Sequence, residues 1–214
     1  MKLVLWSYWR SSASYRVRIA LALKGLEYDY RAVDLVRGEQ ADPAYRAKHP
    51  QALVPTLEVD GVPLVQSLAI LEWLEETFPT PPLLPREPFA RARVRAFAQA
   101  IACEVAPLSN LAVRRYLTDE LRLDEAAQTR WHHRWLEAGL GPCERMLAGG
   151  PGPFCFGAAP GLADCLLVPQ LYNARRYGFP LDPFPRLREA DAAMLALPAV
   201  RRAAPEAQPD APRG

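Results

Sequence analysis

Apolar residues in the first eighty positions change spacing several times, and each change marks an element. Lys2 to Ser7 is a short apolar run of strand length. Ser14 to Lys24 follows with Val17, Ala20, Leu21 and Lys24 at helical spacing, and Gly25 stands at the C′ position where helices commonly end. Tyr28 to Leu35 alternates as a second strand, whereas Glu39 to Lys48 is irregular and reads as a loop with a short helix. Pro55 to Val59 and Val62 to Val65 flank Asp60-Gly61, the signal for a two-residue hairpin. Ser67 then stands where it can cap a helix whose stripe is Leu71, Leu74 and Phe78. The order is β-α-β and then β-β-α, an open sheet with helices on its faces. Such folds bind ligands beyond the carboxyl ends of strands, where helices begin.

Pro79 to Pro85 cannot continue a helix and divides the chain. Beyond it no strand stands out. Val94, Phe97, Ala98, Ile101, Val105 and Leu108 mark a long helix, and a second runs from about Asp124 to Leu147. Pro142 lies inside that second helix and should kink or break it. A third helix spans Leu162 to about Tyr177, and a fourth about Pro185 to Leu197. The tail after Pro205 is polar, rich in proline and expected to be mobile. The expected domains are therefore residues 1–81 and 86–214, joined by residues 82–85.

Composition narrows the function classes. The formal net charge is +2 with no long block of one sign, so neither nucleic acid nor an anionic membrane is an expected partner. No apolar run approaches the length of a bilayer span, and no cleavage-site pattern follows the N-terminus, which points to the cytoplasm. Three lysines stand against 23 arginines, which reads first as a codon bias and second as a supply of guanidiniums, a few of which bind carboxylates bidentately, as arginine does better than lysine. Cys103, Cys143, Cys155 and Cys165 are scattered, and the adjacent His132 and His133 cannot share a helix face. Buried, reduced thiols and no metal are expected.

The chemistry-bearing stretch is Arg10-Ser11-Ser12-Ala13-Ser14-Tyr15-Arg16, between the first strand and the first helix. Read locally, its serines are either N-caps or a cradle of hydroxyls and N–H groups for an anion. A thiolate held there would have its pKa drawn toward neutrality. Gln66-Ser67 repeats the arrangement at a second helix start, where a carboxylate could accept from Ser67. Val54-Pro55 precedes a strand. Its peptide bond is expected to be cis, with the Val54 backbone turned to pair with a peptide-like ligand.

From Lys2 to about Asp210 the chain resembles the zeta-class glutathione transferases, the maleylacetoacetate isomerase family, which includes bacterial maleylpyruvate isomerases. Tyr8-Trp9-Arg10-Ser11-Ser12-Ala13-Ser14-Tyr15-Arg16-Val17-Arg18-Ile19-Ala20-Leu21 is similar to the class signature Ser-Ser-Cys-Ser-Trp-Arg-Val-Arg-Ile-Ala-Leu. Val54-Pro55-Thr56-Leu57, Gln66-Ser67-Leu68-Ala69-Ile70, Leu162-Ala163-Asp164 and Val168-Pro169-Gln170 follow at the spacing of the family. The resemblance implies a thioredoxin-like α/β N-terminal domain, an all-α C-terminal domain, a homodimer, and glutathione as a regenerated cosubstrate beside a small dicarboxylic substrate. It implies that Ser11 and Ser12 hold the glutathione thiolate and that Val54, before Pro55, pairs with the cysteinyl backbone. Gln66 and Ser67 would take the γ-glutamyl end with Gln40 nearby. Asn110 matches a position near the site, and Arg10 and Arg176 match arginines that bind substrate carboxylates.

The chain also departs from the class. The signature cysteine is Ala13, so no protein thiol acts there, and the tryptophan is Tyr15. Ser109 replaces a glutamine of the animal proteins, and Ala112 an arginine of bacterial maleylpyruvate isomerase, for which Arg114 or Arg115 could substitute. Gly161 replaces a capping serine or threonine, leaving Asp164 to reach back. The activity implied is glutathione-dependent cis-trans isomerisation of a maleyl β-diketo acid, by thiolate addition, bond rotation and elimination. Conjugation of glutathione to electrophiles such as α-haloacids needs the same thiolate, and a non-catalytic binding module is the third class.

Overall fold

The computed structural model describes residues 1–212. The first half follows the expected order: β1 (Leu3–Ser7), α1 (Ser12–Leu23), β2 (Asp29–Ala32), a 3-10 turn (Glu39–Ala41), α2 (Pro43–Arg46), β3 (Thr56–Val59), β4 (Val62–Val65) and α3 (Ser67–Thr77). The sheet order is β2-β1-β3-β4, with β2 parallel to β1 and the other pairs antiparallel. This is the thioredoxin-like sheet. Leu3, Leu5 and Leu57 bury one face of it, and Val17, Ile19, Leu21, Ile70, Leu71 and Leu74 come from the helices. Gly25 takes φ +66° after α1, and Asp60 and Gly61 take φ +49° and +87°, the two left-handed residues that a type I′ hairpin turn needs.

One ion pair locks this half. Lys24, at the C-cap of α1, donates to Glu75 of α3 at 2.8 Å and to the carbonyls of Phe78 and Pro81 at 2.7 and 3.0 Å. Both side chains are buried, and Glu75 also accepts the N–H of Leu83 at 2.9 Å. The proline-rich joint is therefore tied down by a buried charge with its donors satisfied.

The second half holds α4 (Pro88–Gln99), α5 (Leu111–Arg115), α6 (Glu125–Leu147), α7 (Leu162–Arg176), α8 (Pro185–Ala196) and α9 (Pro198–Ala203). A π-helical segment, Ala100–Val105, continues α4 and runs into a 3-10 turn over Ala106–Ser109. By length and composition Pro88–Glu120 would pass for a membrane span, which corrects the expectation that no segment comes near one. Asn110, in an extended conformation with ψ 166°, interrupts it, however, and its apolar residues Val94, Phe97, Ile101 and Val105 are buried. Helix α6 is not broken at Pro142. Gly139, three residues earlier, is where α6 meets the π-helical segment: a Cβ there would stand 2.0 Å from Val105 Cγ2. At the start of α7, Asp164 accepts the N–H of Gly161 and of Cys155, both at 2.9 Å, which keeps the half of a capping box that needs no hydroxyl on the cap residue.

Two compact units result, Met1–Leu83 with Leu195–Gly214, and Leu84–Met194. The expected boundary near Pro81 stands close to the first division, but the expected helical domain reached to the end of the chain. The last segment instead belongs with the sheet, because α9 packs on α1. The expected mobile tail is also corrected over its described residues, its last two positions lying outside them. Pro205 and Gln208 are buried, and Gln208 donates to the carbonyls of Arg202 and Ala204 at 3.0 and 2.8 Å. Cys103 is exposed, against expectation, while Cys143, Cys155 and Cys165 are buried and all four are free thiols. Burial pushes the Cys143 thiol up to about 12, so it stays protonated.

Candidate functional site

Strand register brings the sequence motifs of the first unit to one edge. Trp6, near the end of β1, is level with Thr56 at the start of β3, and Thr56 is level with Val65 at the end of β4. Ser7 is level with Ala32 at the end of β2. Four segments leave or enter the sheet there: Tyr8 to Ser12 into α1, Val33 to Gln40 after β2, Val54-Pro55 before β3, and Gln66-Ser67 after β4. Arg10, Ser11, Ser12, Gln40, Val54, Pro55, Gln66 and Ser67 thus share the carboxyl end of β1. This is where an open sheet receives its ligand.

Ser11 is the N-cap of α1, with φ −67° and ψ 121°, and its Oγ accepts the Ser14 N–H at 3.2 Å. Capping and ligand binding, open alternatives in the sequence, are compatible. The cap occupies an acceptor lone pair, and the hydroxyl proton remains to be donated. Ser12 is the first helical residue, where N–H groups lack intrahelical partners and the dipole favours negative charge.

The Val54-Pro55 bond is cis, as expected. Val54 is buried, yet its N–H and C=O make no hydrogen bond among the described residues. Gln40 has a buried Oε1 with no partner among those residues. Both leave polar capacity at the edge that an outside molecule can satisfy.

Ser67 corrects the sequence reading. It does not cap α3 but is its first residue, and Gln66 occupies the cap with φ +70° and no side-chain bond to the helix. A non-glycine residue held left-handed costs on the order of 1–3 kcal/mol, a cost that recurs at binding sites. The Ser67 hydroxyl accepts instead from Arg16 Nη1 at 3.2 Å, a buried bond that ties the two helix starts together. The Gln66 amide reaches Gln51 at 2.6 Å and is exposed.

The remaining two predicted residues lie in the second unit. Asn110 is the N-cap of α5, its Oδ1 accepting the Val113 N–H at 2.9 Å. Arg176 ends α7, donates to Asn173 Oδ1 at 3.1 Å, and sets its guanidinium 5.7 Å from the ring of Tyr177. Arg114 approaches the same ring at 5.9 Å. His132 stacks on it at 4.0 Å and 13°, and His133 Nε2 meets the Tyr177 carbonyl oxygen at 2.8 Å. Burial, with Arg114, His133 and Arg176 adding positive charge, drives the His132 imidazole down to about 4, so it is neutral near pH 7. No cluster among the described residues has the His, Cys, Asp or Glu needed for a metal.

Tyr177 and His132 were not singled out in the sequence as site residues. Neither was Arg18, which is fully buried in α1. Its position between Val17 and Ile19 is a usable signal, since a guanidinium in an apolar helix must find acceptors.

Comparison with known proteins gives a consistent picture. Residues 1–76 match the glutathione S-transferase N-terminal domain family and residues 125–190 the glutathione S-transferase C-terminal domain family. The chain is 48% identical to the maleylpyruvate isomerase of Ralstonia sp., with 96% of this chain and 98% of that protein covered. It is similar to the holo structure of a maleyl pyruvate isomerase described as a bacterial zeta-class glutathione S-transferase (TM-score 0.95, 47% identity, 99% and 100% covered). It is also similar to a maleylacetoacetate isomerase from Anaeromyxobacter dehalogenans 2CP-1, solved with dicarboxyethyl glutathione and citrate in its active site. There the TM-score is 0.88 at 48% identity, with 99% and 98% covered.

Proposed function

The chain belongs to the zeta class of the glutathione S-transferase family, and from that premise we propose that it is a glutathione-dependent cis-trans isomerase of a maleyl β-diketo acid. The observation that carries this reading is the sheet edge itself. Two helix starts, a buried but unpaired Val54 backbone and an unpartnered Gln40 carbonyl lie together there. That donor and acceptor set fits a tripeptide with a thiol and a carboxylate. Bound glutathione supplies a thiolate that adds to the activated cis double bond and leaves after rotation about the resulting single bond.

The chain's own residues do the rest. Ser11 donates its hydroxyl proton toward the sulfur, Ser12 and the first-turn N–H groups add positive field, and together they hold the thiol ionised near neutral pH. Val54 pairs through its backbone with the cysteinyl residue. Gln66, the N–H of Ser67 and Gln40 take the γ-glutamyl end, and Asn110 contributes at the same ligand. Arg10 and Arg176 bind the carboxylates of the acid, which fixes its double bond over the sulfur. Ala13 is no handicap, because the nucleophilic sulfur is not the protein's. The cytoplasm, where glutathione keeps thiols reduced, suits both the cosubstrate and four free cysteines. A homodimer belongs to the same proposal, as the family resemblance implies.

Turnover of maleylacetoacetate, maleylpyruvate and an α-haloacid, measured side by side, tests the reaction. Faster turnover of a maleyl acid sustains the isomerase, and activity on the haloacid alone converts the reading to conjugation. Ser11→Ala should lower turnover about 10- to 100-fold and raise the pH at which bound glutathione ionises, the loss of one hydrogen bond to a charged group. An unchanged pH profile would transfer the role to Ser12 or the backbone.

A further inference from the structure

The turn that presents Arg10 and Ser11 is held from both sides, by Arg18 of the helix that follows it and by Asp210, some 200 positions further along the chain. From α1, Arg18 donates Nη2 to the Trp9 carbonyl at 2.8 Å and Nη1 to the Tyr8 carbonyl at 3.4 Å and to Ser7 Oγ at 3.2 Å. Its Nε donates to the Ala203 carbonyl at 3.0 Å, so the same guanidinium anchors the end of α9. From beyond α9, Asp210 Oδ2 accepts the Trp9 N–H at 3.0 Å, while its Oδ1 accepts the Tyr30 hydroxyl at 2.6 Å. Trp9 therefore has its carbonyl fixed by Arg18 and its N–H by Asp210. Its ring lies 5.1 Å from the Arg10 guanidinium, and the Ser11 N–H closes the turn on the Tyr8 carbonyl at 3.0 Å.

We propose that Asp210 is a positioning residue: by accepting the Trp9 N–H, it makes the C-terminal segment a working part of the glutathione site and sets where Arg10 and Ser11 point. A carboxylate with both oxygens occupied, one by a neighbouring strand, is a rigid acceptor. The segment around Asp210 has no other need to reach this turn, since Pro205 and Gln208 already bury and pair themselves upstream. The assignment rests on Ser11 as the thiolate partner, and the experiment separates the two.

Asp210→Ala, Asp210→Asn and Tyr30→Phe are made in the full chain. Three readouts follow: hydrogen exchange at the Trp9 to Ser11 amides without ligand, the pH titration of bound glutathione by thiolate absorbance, and KM and kcat for both substrates. Asp210→Ala should expose the Trp9 amide, raise KM for glutathione about five- to tenfold and move the thiolate titration to higher pH. Asp210→Asn should stay near the parent protein, because a carboxamide can accept from Trp9 and donate to Tyr30. Tyr30→Phe keeps the Trp9 bond and should raise KM only about twofold. If Asp210→Ala does not fold, Asp210→Ser takes its place, since its shorter side chain stays polar but does not reach the Trp9 N–H, and the same rise in KM and shift of the titration are expected.

Exposure of the Trp9 amide with unchanged KM and thiolate titration would overturn the proposal and leave the tail purely structural. So would Asp210→Asn failing as badly as Asp210→Ala. A Ser11→Ala protein with an unchanged titration sinks the serine assignment instead, without touching the exchange result.

Discussion

At its functional edge the first unit presents backbone N–H groups, hydroxyls and an amide carbonyl, whereas the second unit gathers two guanidiniums and two imidazoles round Tyr177. The former group is positioned by chain path. Ser11 stands at a helix start because β1 ends at Ser7, and Arg18, Asp210 and the Arg16–Ser67 bond hold the path from outside. In the latter, Arg114, His132 and Arg176 meet one ring, from α5, α6 and α7, and His133 meets the carbonyl of the same residue. A site made of backbone is thus most sensitive to remote anchors, and a site made of side chains to its own residues.

The sharpest test of the first half of this contrast is Lys24→Met. It leaves Glu75 buried without its cation, and two carbonyls lose their donor, so unfolding free energy should fall by about 3–5 kcal/mol. Chemical denaturation measures it, and a loss below about 1 kcal/mol would show that the joint does not depend on the pair.

The cationic cluster should respond differently. Arg176→Met is expected to raise KM for the maleyl acid about tenfold while sparing conjugation of a neutral electrophile, with folding stability nearly unchanged. Equal losses with both substrates would mean that Arg176 serves only Asn173 and the end of α7.

His132 couples that cluster to pH. With the imidazole held near 4 in the folded chain against 6.5 when unfolded, the unfolded state binds more protons between those values. The contribution is complete above about pH 6.5 and is lost as pH falls toward about 4, roughly 1–2 kcal/mol after screening by solvent. His132→Gln should flatten this decline in urea midpoints compared at about pH 4.5 and pH 7.5. An equally steep decline would assign the acid sensitivity to other groups.

The smallest effect expected is that of Asn110→Ala, about 1 kcal/mol for the lost cap of α5. The proposed role in glutathione binding adds a second readout. A lower affinity for glutathione at unchanged secondary structure supports it, and an unaltered affinity reduces Asn110 to a cap.

Much of the fold was legible because the signals are local. Gly25 and Asp60-Gly61 read as turns since a left-handed residue is needed within the element itself, and the apolar spacing of α1, α3 and α4 names their buried faces. The cap that Ser11 places on α1 and the cis Val54-Pro55 bond were likewise legible, one from its helix start and the other from its position before a strand. Misreadings came where a distant partner decided. Ser67 looked like a cap, but Arg16 takes its hydroxyl. The tail looked mobile from its polar, proline-rich composition, yet Asp210 has partners some 200 and 180 positions away.

By itself the sequence determined the order of elements, the motifs at two helix starts and the family, because periodicity, turn chemistry and a contiguous signature are properties of neighbouring residues. Only the tertiary structure decided that four separated segments meet at the end of β1, that Arg18 and Asp210 grip Trp9 from either side, and that Arg114 and Arg176 share the ring of Tyr177. Strand register and the need to satisfy buried charges produce those meetings, and both depend on residues that local spacing does not connect.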